Sequence, residues 1–193
     1  MKKVIALLAL FCMAACAQDT FTDSRDGKKY KTAKIGNQTW IAQNLDYHGE
    51  DGFLGLCYGD EPQKKIKKPE NCTKYGRLYN WNEAMKACPK GWHLPSDKEW
   101  QTLVDFAGGT KAGRKLRVKA ENGSDDYGFS ALPGGFGVSG VSFYNVGSSG
   151  HWWSATEDDA SIAYFQYIYY DDSGEGRSPS DKSLLYSVRC VKD

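Results

Sequence analysis

The sequence predicts one loop-rich domain of mixed helix and strand, with a β-hairpin before two helices and short strands after them. Three observations carry this. Ser96-Asp97-Lys98-Glu99 is a capping box that opens a run bearing Trp100, Leu103, Val104 and Phe106-Ala107, and Gly108-Gly109 stops it. Gly36-Asn37 separates two strand-like segments and fits a two-residue hairpin turn. The chain of 193 residues holds 21 Gly, 6 Trp, 12 Tyr and 8 Phe. That usage points to an irregular fold whose core is aromatic.

The elements follow in order. Lys2-Lys3, an apolar run over residues 4–13 and the small residues Ala14-Ala15-Cys16-Ala17 have the layout of a bacterial export signal. The run is too short to span a bilayer, which takes roughly 20 apolar residues. Cleavage before Cys16 would leave that cysteine as a lipidated first residue, although Met13 stands where a lipobox has Leu. Cleavage after Ala17 would free Gln18 instead. Lipidation of Cys16 is the favoured expectation, with residues 1–16 as signal and 17–193 as a single domain. Residues 28–35 and 38–41 form the hairpin, with alternation placing Tyr30, Thr32 and Lys34 on one face. A long irregular stretch runs over 48–74 and contains the basic run Lys64-Lys65-Ile66-Lys67-Lys68, a solvated loop face flanked by Glu61 and Glu70.

A first helix is predicted over 79–87, with Leu78, Trp81, Ala84 and Met85 at near-helical spacing and Pro89 as its stop. The capping box opens the second, and a further helical turn or two is expected near 111–116. From Tyr127 onward the chain reads as loops and short strands, with strands expected at 151–156, 163–170 and 186–191.

Charge and cysteine content narrow the function classes. Removing Lys2 and Lys3 turns the formal charge of +1 into −1. No basic field exists to hold nucleic acid, so membrane contact is expected only through an N-terminal lipid. Beyond Cys12 and Cys16, four cysteines remain: Cys57, Cys72, Cys88 and Cys190. In an oxidising compartment two disulfides are the expectation. Of three pairings, Cys57–Cys72 and Cys88–Cys190 are favoured, the first closing a polar loop and the second tying mid-chain to its end. No CxxC pair or His at ligand spacing supports zinc.

Long motifs carry a resemblance. Asp26-Gly27, Tyr30-Lys31-Thr32, Gln38-Thr39-Trp40 and Asn44-Leu45 form one group. Tyr75-Gly76-Arg77-Leu78-Tyr79-Asn80-Trp81 and Cys88-Pro89-Lys90-Gly91-Trp92-His93-Leu94-Pro95-Ser96 form another. Asp126-Tyr127-Gly128-Phe129-Ser130-Ala131-Leu132-Pro133-Gly134-Gly135, Trp152-Trp153-Ser154-Ala155-Thr156 and Ser187-Val188-Arg189-Cys190-Val191 complete the set. Together they resemble the Fibrobacter succinogenes major paralogous domain family over about residues 21 to 193. That family is similar to the formylglycine-generating-enzyme (sulfatase-modifying-factor) and C-type-lectin-like folds. The resemblance implies an α+β domain with two main helices and short, twisted, mostly antiparallel strands. It also implies export, and with the signal segment the expected location is the bacterial cell envelope, as an outer-membrane or cell-surface lipoprotein, or else as a soluble periplasmic or secreted protein.

The resemblance names paralogy and not a chemistry. Formylglycine-generating enzymes bind copper through two nearby cysteines, and here Cys190 stands alone near the C-terminal end. No G-x-S-x-G elbow occurs, and no motif selects a catalytic pair of carboxylates. No catalytic residue and no resident cofactor are therefore expected, and a degenerate enzyme relative is the weaker alternative. Calcium at Asp125-Asp126, Glu157-Asp158-Asp159 or Asp171-Asp172 is weighed against solvated turn acids, and the turn role is preferred. Sugar rings stack their C–H faces on aromatic rings. Adjacent strand residues point to opposite faces, so if one of Trp152 and Trp153 is buried the other can approach the surface; a sugar platform is weighed against an ordinary aromatic core, and the core is preferred. Trp152, Trp153, Tyr167 and Tyr169 are the ligand-binding candidates. The functional expectation is a non-catalytic envelope module binding a glycan or another envelope component. The rival is a structural or protein-interaction domain whose aromatics are all core.

Overall fold

Gly36 takes φ +58° and Asn37 does not share the positive φ, which is the pattern of a type II′ turn. It reverses the chain so that Ile35 pairs with Gln38 and Ala33 with Trp40. The computed structural model describes residues 19–52, 54–138, 142–171 and 174–193. The export segment, Cys16 and Asp172 lie outside the described residues.

In chain order the elements are β1 (Thr20–Thr22), β2 (Lys29–Ile35), β3 (Gln38–Ile41), α1 (Pro69–Tyr75), β4 (Leu78–Tyr79), α2 (Trp81–Ala87), β5 (Trp92–His93), α3 (Asp97–Ala107) and α4 (Ala112–Leu116). Then come β6 (Gly134–Val138), β7 (Ser142–Val146), β8 (Ser149–Glu157), β9 (Ile162–Tyr169), β10 (Glu175–Asp181), β11 (Leu184–Ser187) and β12 (Val191–Lys192). Among the described residues the fold is α+β with two sheets. The smaller has the order β1-β2-β3-β12-β5. The larger runs β10-β9-β8-β11-β6-β7, with β4 paired to β11. Most pairings are antiparallel, but β8 lies parallel to β11 and to β6.

The second helix forms as its sequence signals require. Ser96 Oγ accepts from the Glu99 amide, and Glu99 Oε2 accepts from the Ser96 amide at 2.8 Å. Trp100, Leu103 and Ala107 face inward, and Gly108 ends the helix in a left-handed conformation. The helix expected over 79–87 starts two residues later, because Leu78 and Tyr79 pair with Ser187 and Tyr186 as β4. Asn80 is its N-cap, in a reciprocal capping box with Glu83. The strand expected over 186–191 divides: β11 belongs to the large sheet and β12 to the small one. The chain crosses between them at Val188-Arg189-Cys190. Both disulfides form in the favoured pairing, Cys57–Cys72 and Cys88–Cys190.

Two core clusters flank the large sheet, and neighbouring residues divide between them. Trp40 and Trp152 join Trp100, Leu103 and Phe129 in one. Ile41 and Trp153 join Tyr79, Trp81 and Tyr186 in the other. Trp100 packs tilted against Trp40 with ring centroids 4.9 Å apart, and Trp153 against Tyr186 at 4.5 Å. This removes Trp152 and Trp153 from the ligand-binding candidates and agrees with the preferred core reading of the pair. Their side chains do alternate, but both faces of β8 are covered, so both rings are buried (1% and 0% exposed). Each indole N–H has a buried acceptor: Trp152 donates to Asn44 Oδ1 at 2.8 Å and Trp153 to the Tyr79 carbonyl at 2.7 Å. Neither tryptophan lies open on the surface as a sugar platform.

Asn44 also ties down the crossover. Its Oδ1 accepts from Arg189 Nε at 2.7 Å, and its Nδ2 donates to the Tyr75 carbonyl at 2.8 Å. Arg189 donates further to the carbonyls of Phe129 and Ser130, at 2.6 and 3.0 Å. Its guanidinium stands 4.5 Å from the Phe129 ring centroid. Burial lowers its pKa to about 9, which still leaves it charged at neutral pH.

Candidate ligand-binding surfaces

With the tryptophans inside, the aromatics exposed on the large sheet come from β9 and its neighbours, and Phe106 is exposed on α3. Successive β9 side chains alternate: Phe165, Tyr167 and Tyr169 share one face, while Tyr164, Gln166 and Ile168 share the other. Pairing with β8 places Phe165 opposite Trp153, Tyr167 opposite His151 and Tyr169 opposite Ser149. Phe136 pairs with Tyr144 across the β6–β7 hairpin.

The first face carries a continuous aromatic row. Ring centroids are separated by 5.5 Å from Tyr144 to Phe136, 5.1 Å from Phe136 to His151, 5.6 Å from His151 to Phe165, 6.0 Å from Phe165 to Tyr167, and 5.1 Å from Tyr167 to Tyr169. Tyr144 and Tyr169, at the two ends, are 47% and 38% exposed. Phe136, Phe165 and Tyr167 are half-buried. Tyr186 is buried beneath, 4.6 Å from Phe165 and 5.4 Å from His151. Tyr167 lies across Gly176 of β10, where any Cβ would fall 2.6 Å from the phenolic oxygen. Burial lowers the His151 pKa to about 4, so this ring is neutral and acts as part of the row. Its Nδ1 and the Ser149 Oγ are buried without hydrogen-bond partners, so the two do not form a nucleophile–base pair.

The second face of β9 borders a groove of about 330 Å³ beneath α3. Trp100, Leu116, Phe129 and Trp152 underlie it, and Asp105, Gln166, Glu175 and Arg177 are among its polar groups. Arg177 ion-pairs with Asp97 and lies 3.4 Å from the Tyr164 ring centroid. At Thr110 and Glu175 the groove meets a second cavity of about 530 Å³.

Residues 33–192 match the Fibrobacter succinogenes major domain. The chain belongs to that family. No curated protein and no solved structure matches it. The family's fold is seen here as α+β, and its likeness to C-type lectins and sulfatase-modifying factors gains no structural relative. The motifs that carried the resemblance build the interior: Asn44, Phe129, Trp152 and Arg189 are all buried. None of the exposed row residues belongs to them. Membership in the family therefore specifies the scaffold and leaves the surface chemistry to the segments between its motifs.

Of the four sequence-derived candidates, Tyr167 and Tyr169 stand in the row, and Trp152 and Trp153 do not. Sequence reasoning missed Phe136, Tyr144, His151 and Phe165. The alternation of β9 signals Phe165, whereas the partners from β6 to β8 follow only from sheet order. Of the acids weighed for calcium, Asp125 and Asp159 have turn roles, and Glu157 and Asp158 pair with Lys182 and Tyr164. Asp125 accepts from the Ser130 amide and hydroxyl at 2.8 and 2.7 Å. Asp159 accepts from the Ser161 and Ile162 amides at 2.7 and 2.8 Å. Among the described residues no group of three His, Cys, Asp or Glu is placed to hold a metal ion.

Proposed function

We propose that this chain is an exported, lipid-anchored envelope module that binds a glycan through the aromatic row, without catalysis. The observation that supports it is that one sheet face carries the partly exposed rings of Tyr144, Phe136, Phe165, Tyr167 and Tyr169, linked through the buried His151. Such a surface offers the apolar C–H faces of successive sugar rings a stacking partner. Two disulfides accord with a compartment outside the cytoplasm. Among the described residues no helix is long and apolar enough to cross a membrane.

The test is a binding screen of the purified chain against plant-wall and envelope glycans, with and without calcium. Tyr144→Ala and Tyr169→Ala should each weaken the retained glycan by about five-fold, from about 1 kcal/mol per lost stacking contact. Both rings are exposed, so melting temperature should hold. If no glycan binds at millimolar concentration and an envelope protein is recovered through the same row, the protein-interaction reading replaces this one. Intact-mass analysis of the membrane fraction tests the anchor: a diacylglyceryl group on Cys16 supports it, and a soluble chain starting at Gln18 refutes it.

A further inference from the structure

We infer that the groove beneath α3 and its neighbouring cavity form a second binding site, for a uronic acid residue of an acidic glycan. The site lies mainly on the opposite face of β9 from the aromatic row; Tyr167 and Tyr169 of the row also border the groove and the adjoining cavity, whereas Tyr144 borders neither.

Three features converge on that ligand. The first is shape and floor. A cavity of about 330 Å³ over largely buried aromatic and aliphatic side chains suits a small ligand with an apolar face. A pyranose ring presents such a face through its axial C–H groups.

The second is unused positive charge. The adjoining cavity is lined by Lys111, Arg114, Lys115 and Arg117. Two of these cations are engaged internally. Arg117 donates to the Tyr169 carbonyl and stands 5.4 Å from the Tyr170 ring centroid. Lys115 Nζ lies 3.1 Å from the position of a Cβ on Gly108, at the C-terminal end of α3 where a cation is favourable. Lys111 and Arg114 are exposed and, among the described residues, have no side-chain partner. Asp126 and Glu175 are the acids on the same wall, so the mouth is net positive.

The third is Glu175, at the junction of the two cavities. Its Oε1 is buried and accepts no hydrogen bond. Its other oxygen sits against Gly113, where a Cβ would fall 2.5 Å from it, so the glycine makes room for this carboxylate. A carboxylate oxygen held without a donor is costly, and a rotation of the half-buried Glu175 side chain toward the cavity would let a ligand hydroxyl satisfy it. The occupant must therefore combine an apolar ring face, a hydroxyl to donate and an anionic group. A neutral sugar leaves Lys111 and Arg114 unused. An apolar acid brings no hydroxyl for Glu175. A uronate supplies all three.

The experiment is isothermal titration of the complete mature chain with trigalacturonate, neutral galactotriose and a hexose phosphate, at low and high salt. Trigalacturonate should bind at least about ten-fold tighter than galactotriose, and more weakly as salt screens the cations. The double charge reversal Lys111→Glu/Arg114→Glu should lower its affinity at least about ten-fold with an unchanged melting temperature, since neither residue has a partner to lose. Glu175→Gln should also weaken it, while Tyr144→Ala, remote from the groove, should leave it unchanged. Equal binding of acidic and neutral trisaccharides, full affinity in the double variant, or no binding of trigalacturonate at about 10 mM would overturn the assignment. So would preference for the hexose phosphate over the uronate. Loss of uronate binding in Tyr144→Ala alone would move the ligand to the row and overturn the groove.

Discussion

Arg189 and Trp152 share a single acceptor, Asn44 Oδ1, which takes the guanidinium Nε at 2.7 Å and the indole Nε1 at 2.8 Å. All three residues are buried. One amide oxygen thus fixes the crossover between the sheets and the central strand of the larger one. Asn44→Ala removes that oxygen and leaves a buried cation and a buried indole each short of an acceptor. The expected destabilisation is about 3–5 kcal/mol. Arg189→Lys should cost nearly as much, because an ammonium cannot reach Asn44, Phe129 and Ser130 from one planar fork. Urea unfolding of each variant measures this, and a loss under about 1 kcal/mol would refute the hub.

The disulfides close loops of very different length, 15 and 102 residues. In the chain-entropy model they stabilise by about 3 and 4.7 kcal/mol respectively. Cys88→Ser/Cys190→Ser should therefore lower the urea midpoint more than Cys57→Ser/Cys72→Ser. The reverse order would mean that the denatured chain is already compact around the longer loop.

The sequence marks some of these elements and not others, for physical reasons. α3 is legible because both ends and its buried face are encoded locally, in Ser96, Glu99 and Gly108 and in Trp100, Leu103 and Ala107. α1 is not, since Cys72 is its one buried residue and no apolar periodicity exists to detect. β10 reads Glu-Gly-Arg-Ser-Pro-Ser-Asp, with no strand signal at all. It is an edge strand made by pairing along β9, where Pro179 can be tolerated. Alternation told which neighbours of Trp152 share its face. Whether that face meets solvent depends on what covers the sheet, a tertiary fact. The groove was hidden for the same reason, since Lys111, Arg114 and Glu175 meet only through packing.

The acid–base behaviour of the small sheet should show in its stability. His93 Nδ1 lies 2.7 Å from Asp193 Oδ1, and its Nε2 lies 2.8 Å from Glu99 Oε1. Desolvation pulls the His93 pKa down, but the two carboxylates outweigh it and raise it above 6.5. Desolvation likewise raises Glu99, and hydrogen bonds from Ser96 together with His93 outweigh it and lower it below 4.5. The histidine's contribution is complete below its unfolded pKa and disappears as pH rises through the raised folded value. The Glu99 contribution is complete above its unfolded pKa and disappears as pH falls through the lowered one. Their joint contribution peaks between about pH 4.5 and 6.5. Melting curves of the wild type and His93→Gln should differ most there and converge in mildly alkaline buffer. A gap that widens with rising pH would contradict the imidazolium.

Gly176 allows the row to be disturbed without touching any of its rings. A Cβ at this position would stand 2.6 Å from Tyr167 Oη and 2.9 Å from Cζ, too close for the ring to stay in place. The phenol is the far end of a half-buried side chain and can swing outward, so the sheet itself need not move. Gly176→Ala should displace Tyr167 from its stack with Phe165 and Tyr169. Glycan affinity should fall by about as much as in Tyr167→Ala, roughly five-fold, while stability changes by less than about 1 kcal/mol. Combining Gly176→Ala with Tyr167→Ala separates the causes, because the second change should add nothing once the ring is gone. A further loss in the double variant would show that Gly176 acts through the β9–β10 backbone and not through Tyr167.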